Sequence, residues 1–245
     1  MTRLRGLDVS SCQGTIRWAD VPPEFAFVVV KVSEGTLGLD PLRQFNLAAA
    51  ALSGRQTGVY HFFRSSQDPK GQAERLWDAV GSKMPSFVAL DFETLADGLS
   101  PEAGVDRALE CADHIESFFG RPPLLYGFPW FDGKLLGAAF AARPRIARLP
   151  LWMADYSGGE LPPETWHPHF GAPWTTWALA QTSGNNSSRV AGIVGAVDHN
   201  IANGDLEWFR TTICGLPPTA SVGEPPSPIV HAPIDFPERE PPTEE

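Results

Sequence analysis

Residues 86–93 read Ser-Phe-Val-Ala-Leu-Asp-Phe-Glu, a short apolar run that ends in two carboxylates, Asp91 and Glu93. The apolar residues Phe87 to Leu90, with Phe92, do not alternate with polar ones. The segment therefore reads as a strand buried on both faces, the kind found in parallel sheets. On a strand, residues i and i+2 point to the same side, about 7 Å apart. Burying two acids side by side is costly unless something uses them. Paired carboxylates at the C-terminal end of a barrel strand are how many glycosidases hold a general acid beside its partner. An acid pair on the surface at a strand end is the plainer alternative, and the preceding apolar run favours a functional one.

The rest of the chain repeats this kind of segment. Strands are expected at 4–9, 25–32, 58–63, 86–93, 124–128, 150–156, 177–182 and 193–198, with helical segments between several of them. Asp40-Pro41, Asp68-Pro69 and Ser100-Pro101 each offer an N-cap followed by Pro at the first helical position. The helix after Ser100 is the clearest, because Val105, Ala108, Leu109, Ala112 and Ile115 recur at helical spacing and Gly120 is placed to end it. Residues 130–148 read as irregular helix. Beyond Tyr156 a loop rich in Pro, Gly and Trp makes regular helices unlikely in the last units. Eight strands with interleaved helices predict an α/β fold, a compact and irregular (β/α)8-like barrel. A doubly wound sheet would show a Gly-rich phosphate loop after the first strand, where Ser-Ser-Cys-Gln-Gly stands instead.

Two regions are expected: a barrel domain over 1–214 and a tail over 215–245. The tail has nine Pro, six acids and one base, too little to bury a core, so a disordered extension is expected. It also carries half of the net charge of −10, a balance that argues against nucleic acid and anionic membranes as partners. Three cysteines, Cys12, Cys111 and Cys214, have no metal-type spacing and read as reduced thiols. The N-terminus lacks the apolar core of a signal peptide, and no run has the length of a membrane span. Synthesis in a cytoplasm without ordinary secretion is the resulting expectation.

In a barrel, the strand C-termini face one site. They would bring together Asp8, Tyr60, His61, Phe62, Asp91, Glu93, Tyr126, Trp152, Tyr156, Gln181 and Asp198. Four carboxylates among aromatic rings suit a neutral polyhydroxylated substrate, since sugar faces stack on rings while carboxylates accept hydroxyl protons and move protons. Phosphate would call for Arg, Lys or a Gly-rich nest. Taken singly, each residue has a plainer role: Asp8 and Asp198 as turn acids, the tyrosines as half-buried core, His61 as a hydrogen-bonded core histidine. His167 and His169 read as exposed loop residues. No metal motif and no Gly-x-Ser-x-Gly elbow is present.

Several motifs then follow in order: Gly6-Leu7-Asp8-Val9-Ser10, Lys31-x-Ser33-Glu34-Gly35, Asp40-Pro41, Gly58-x-Tyr60-His61-Phe62, Asp91-x-Glu93, Leu151-Trp152-x-Ala154-Asp155-Tyr156, Gln181-Thr182-Ser183 and Val197-Asp198-x-Asn200. In this order, over roughly residues 4–210, the chain resembles the family 25 glycoside hydrolases, lysozymes of the muramidase type. The resemblance implies a flattened, incomplete barrel. It also implies cleavage of the β-1,4 bond between N-acetylmuramic acid and N-acetylglucosamine in bacterial peptidoglycan. No cofactor or metal is expected, and the enzyme is expected to be a monomer. By the same resemblance Glu93 is the general acid and later the base, and Asp91 orients the substrate's 2-acetamido group. Asp8 and Asp198 are supporting acids that keep Glu93 protonated. Tyr60, Phe62, Tyr126, Trp152 and Tyr156, with Gln181, bind the sugar. The chain departs from the pattern at Cys12, where Trp is usual, at Ala180 and Thr182 beside Gln181, and in the loop from Asn185 to Arg189. These departures bear on substrate preference more than on activity.

An i,i+2 carboxyl pair lies between the spacings of retaining and inverting enzymes. Assistance by the acetamido group, with net retention, is the expectation. A phage endolysin that gathers in the host cytoplasm fits the missing signal peptide. The rival readings are a chitinase-like glycosidase, which also uses Asp-x-Glu, and a glycan-binding barrel that has lost catalysis.

Overall fold

The computed structural model describes residues 2–127, 135–184 and 188–218. Phe128 at the end of an expected strand, residues 130–134 of the expected irregular helix, residues 185–187 of the divergent loop and the tail from 219 onward lie outside the described residues.

The longest strand shows why the chain forms a two-faced sheet. Strand β2 (Phe25–Glu34) follows β1 (Arg5–Val9) and turns through a short hairpin into β3 (Gly38–Leu39). Phe27 and Val29 point to one side and join an inner apolar cluster, whereas Val28, Val30 and Val32 point to the other and join a cluster shared with the helices. Alternation between two buried faces is what a β-branched, uniformly apolar run provides. The remaining strands are β4 (Gln56–Phe62), β5 (Phe87–Asp91), β6 (Leu124–Gly127), β7 (Leu151–Ala154), β8 (Leu179–Gln181) and β9 (Asp198–Ala202). Leaving β3 aside, they close into an eight-stranded barrel in the order β1-β2-β4-β5-β6-β7-β8-β9, with β9 paired back onto β1. All neighbours are parallel except β9, which runs antiparallel to both β8 and β1.

That reversal corrects one expected strand. Residues 193–197 are apolar but form a turn, with Gly192 and Gly195 at positive φ. The strand begins at Asp198, where an expected one was to end. Its sequence, Asp-His-Asn-Ile-Ala, hid it because its polar residues alternate and point inward to the site.

Helices α1 (Arg43–Leu52), α2 (Pro69–Val80), α3 (Pro101–Phe119) and α4 (Leu135–Ala141) cover the outer face between β3 and β7. Asp68 and Ser100 cap α2 and α3 by accepting from Gly71 N and Ala103 N, and Gly120 ends α3 in the left-handed region. Asp40 does not cap α1, which starts at Arg43; its carboxylate instead accepts from Ser11 N and Leu42 N, tying the loop after β1 to the start of α1. No helix separates β7, β8 and β9 among the described residues, as the loosened pattern after Tyr156 predicts. No described helix is long and apolar enough to cross a membrane. His61 on β4 points outward, fully buried, with Ser33 Oγ 2.8 Å from Nδ1 and Gln72 Oε1 3.2 Å from Nε2, so it is the core histidine that its sequence setting favours.

The end of the barrel away from the site is plugged. Helix α5 (Leu206–Trp208) runs on into a π turn that places the Phe209 ring 4.8 Å from Phe27 and 5.4 Å from Phe87. Gly6 and Gly58 admit these rings: a Cβ on either would lie within 2.4 Å of Phe27 or Phe87. These rings fill the barrel interior at that end.

Candidate active site

The C-terminal ends of the parallel strands and the N-terminal end of β9 meet at the opposite end of the barrel. The antiparallel course of β9 is what brings Asp198 there, directly paired with Asp8 on β1. A cleft of about 240 Å³ is lined by Asp8, Tyr60, Asp91, Glu93, Tyr126, Trp152, Tyr156, Gln181, Gly184 and Asp198. All the residues expected at the strand C-termini line it except His61, which points outward, and Phe62. Phe62 shares the inward face of β4 with Tyr60, but its ring packs under two cations, Lys31 Nζ at 4.9 Å and Arg64 Cζ at 4.6 Å.

One hydrogen-bonded chain fixes the polar half of the cleft. Gln181 Oε1 accepts from the Tyr126 and Tyr156 hydroxyls at 2.8 and 2.9 Å, and its Nε2 donates to Asp8 Oδ2 at 2.9 Å. Asn200 Nδ2 donates to the same Asp8 oxygen at 2.7 Å, and its Oδ1 accepts from Trp152 Nε1 at 2.8 Å. Every buried polar tip of this chain is thereby satisfied. Asn200 was visible in the sequence only as the second polar residue of Asp198-x-Asn200, and its role was not legible there. Gly184 is a second such residue: a Cβ would lie 2.2 Å from the Tyr156 hydroxyl, so only glycine lets that ring stand in the wall. The aromatic half is built by Trp152, with its ring centroid 4.7 Å from Tyr126 and 6.4 Å from Tyr60.

Four carboxyls in one cleft cannot all ionise. Burial, then repulsion from Asp198, pushes Asp8 up to about 8, although Gln181 and Asn200 favour its anion. Asp198 rises to about 6, again from burial and then from Glu93. Asp91, with only 4 % of its surface exposed, is raised well above the carboxylate range by burial and by Glu93. Glu93 is raised by burial, while its hydrogen bonds to Asp91 and Tyr126 and the charge of Lys31 oppose the rise. Asp91 and Glu93 share a hydrogen bond, which needs one proton between the two carboxyls, and burial raises both. Asp91 Oδ1 is buried with no partner. Burial is the first cause of the rise at Glu93, and Asp8 is itself pushed up beside Asp198. Among the described residues no group of His, Cys, Asp and Glu is set to hold a metal ion.

Comparison with known proteins fits this geometry. The protein YegX of Escherichia coli K12, itself uncharacterized, is 26% identical over 223 residues, which cover 88% of this chain and 75% of YegX. Lysozyme M1 of Streptomyces globisporus is 26% identical over 82% of this chain and 68% of its own. Among solved structures, a bacterial lysozyme from Streptomyces coelicolor superposes with a TM-score of 0.75 at 23% identity, covering 88% of this chain and 99% of that one. A muramidase from Acremonium alcalophilum gives 0.70 at 24% identity, covering 87% and 100%. Residues 7–187 match the description of glycosyl hydrolases family 25. With its barrel, its paired acids and that match over most of its length, the chain belongs to glycosyl hydrolases family 25 and is a glycoside hydrolase.

Proposed function

We propose that the enzyme is a muramidase that cleaves the β-1,4 bond between N-acetylmuramic acid and N-acetylglucosamine in peptidoglycan, with Glu93 as acid then base. The observation that carries this is the Asp91–Glu93 pair: one shared proton, and a buried Asp91 oxygen without a partner, in a cleft walled by aromatic rings. The similarity to Lysozyme M1 supports the choice of substrate.

The steps follow from that shared proton. The acetamido N–H of the sugar donates to Asp91 and favours its anion, so the shared proton sits with Glu93. Glu93 gives that proton to the glycosidic oxygen as the bond to C1 breaks, and the acetamido carbonyl oxygen bonds to C1. The resulting cyclic cation is held by the Asp91 carboxylate. Glu93, now ionised, takes a proton from water, whose oxygen opens the ring at C1 and leaves the anomer retained. Asp198 and the Gln181 network hold the sugar and keep the charge of the cleft low.

Mass spectrometry of digested peptidoglycan tests the reading, with muramic acid at the new reducing ends as the expected result. Glu93→Gln should lower the rate by a factor of about 10² or more while the fold survives. Products from chitin in place of peptidoglycan would turn the assignment to the chitinase-like reading. Wall clearing unchanged in Glu93→Gln would end the catalytic one. Appearance of the α-anomer first by NMR would overturn net retention.

The role we assign is that of an endolysin, which gathers in a host cytoplasm and meets the wall when the membrane opens. Three free thiols, two of them buried, suit a reducing compartment. Expression in a host should be harmless until the membrane is permeabilised, and lysis should then follow. Lysis without permeabilisation, or none after it, would refute this role.

A further inference from the structure

A second cavity, about 400 Å³, opens beside the cleft between the β2–β3 hairpin and the segment after β4, lined in part by Lys31, Glu34, Leu37, Leu39, Arg64 and Gln67. It differs from the cleft in chemistry. The charged residues of the cleft are all acids, whereas this cavity has two cations. Its acceptors are spent: Glu34 Oε2 takes Lys31 Nζ at 2.8 Å, and Oε1 takes Arg64. Asp40 accepts from two backbone N–H groups, and Gln67 Oε1 from Thr36 N at 2.6 Å. Donors remain over. The Lys31 side chain carries three N–H bonds and that of Arg64 five, and among the described residues the only hydrogen-bond acceptor for either side chain is Glu34. Gln67 Nε2 has no partner among them either. Leu37, 80 % exposed, stands at the rim with Leu39. The nearby ring, Phe62, is engaged by both cations, Lys31 Nζ at 4.9 Å and Arg64 Cζ at 4.6 Å.

A ligand for this cavity must therefore bring acceptors and small apolar groups, and need not be a sugar. Its distance from the chemistry is set by the sheet. Glu34 pairs with Phe62 and Phe62 with Asp91 on three neighbouring strands, so the cavity lies about 10 Å from Asp91. Two to three residues of extended chain span that distance, at about 3.5 Å each. We propose that the cavity takes the stem peptide carried on the lactyl arm of muramic acid, holding the peptide's carboxylate and amide carbonyl oxygens through Lys31, Arg64 and Gln67 while Leu37 and Leu39 cover its small side chains. The proposal rests on the muramidase reading and deepens it, because the stem peptide is what muramic acid carries and N-acetylglucosamine lacks.

The test compares two substrates, glycan strands bearing their stem peptides and the same strands stripped by an amidase, with wild type, Leu37→Asp and Arg64→Gln. Leu37 is exposed and outside the catalytic machinery, so its replacement leaves the fold alone. Arg64→Gln should raise KM for the peptide-bearing strands about tenfold, the worth of one charge-assisted contact, and Leu37→Asp, which sets a carboxylate against the peptide's own, should raise it as well, both at unchanged kcat. On stripped strands neither should change KM or kcat. An equal rise on both substrates, or none on the peptide-bearing one, overturns the proposal. A wild type that cleaves neither substrate overturns the muramidase reading itself, and this proposal with it.

Discussion

Asp8→Asn should make the protein more stable and less active, and the gain should depend on pH. Asp8 titrates at about 8 in the folded protein against about 3.9 unfolded. Between those values the unfolded chain has lost a proton that the folded protein keeps, so rising pH favours unfolding. The slope is about 1.4 kcal/mol per pH unit, on the order of 4 kcal/mol at pH 7 for the group alone. Asp8 shares its protons with Asp198 and Glu93, so part of that slope belongs to the cluster, and we expect the replacement to recover about 2 kcal/mol. The asparagine keeps an acceptor for Gln181 Nε2 and Asn200 Nδ2, so no buried donor is orphaned. Urea unfolding of both proteins at pH 7 and pH 4 measures it: a gap of about 2 kcal/mol at pH 7 that closes by pH 4. A variant no more stable than wild type at pH 7, or a gap of the same size at both pH values, would refute the reasoning.

His61 should show the opposite slope, because burial lowers it to about 4 and the unfolded chain takes up a proton first as pH falls from about 6.5; an NMR titration should find its ring neutral down to about pH 4. Asn200→Ala should cost about 3 kcal/mol in urea unfolding, since it leaves the buried Trp152 N–H without an acceptor and removes a donor from Asp8. Gly58→Ala, whose new Cβ would lie 2.3 Å from the Phe87 ring, should cost about 1–3 kcal/mol and lower the Tm without changing the pH profile of activity.

Much of this molecule is legible in short stretches of sequence. Asp68-Pro69, Ser100-Pro101 and Gly120 mark helix ends because capping is a matter of three or four neighbouring residues. Val28 to Val32 and Phe87 to Leu90 mark covered strands because a strand's period is two residues. Such patterns place Asp8, Asp91 and Glu93 at strand ends, and a parallel barrel gathers strand ends. Local pattern failed at β9, where the inward residues are Asp198 and Asn200 and an apolar turn precedes them. It failed also at Asp40, whose carboxylate is drawn to Ser11 N across 29 residues.

What the tertiary structure alone decided concerns partners distant in the chain. Asp8 and Asn200, 192 residues apart, meet because the last strand closes the barrel antiparallel to the first. That Phe62 lies under Lys31 and Arg64 depends on β2 and β4 pairing side by side. The rise of Asp91 and Glu93 comes first from their burial, which no spacing records. Sequence period is a local property of the chain; register, desolvation and charge repulsion belong to the closed barrel.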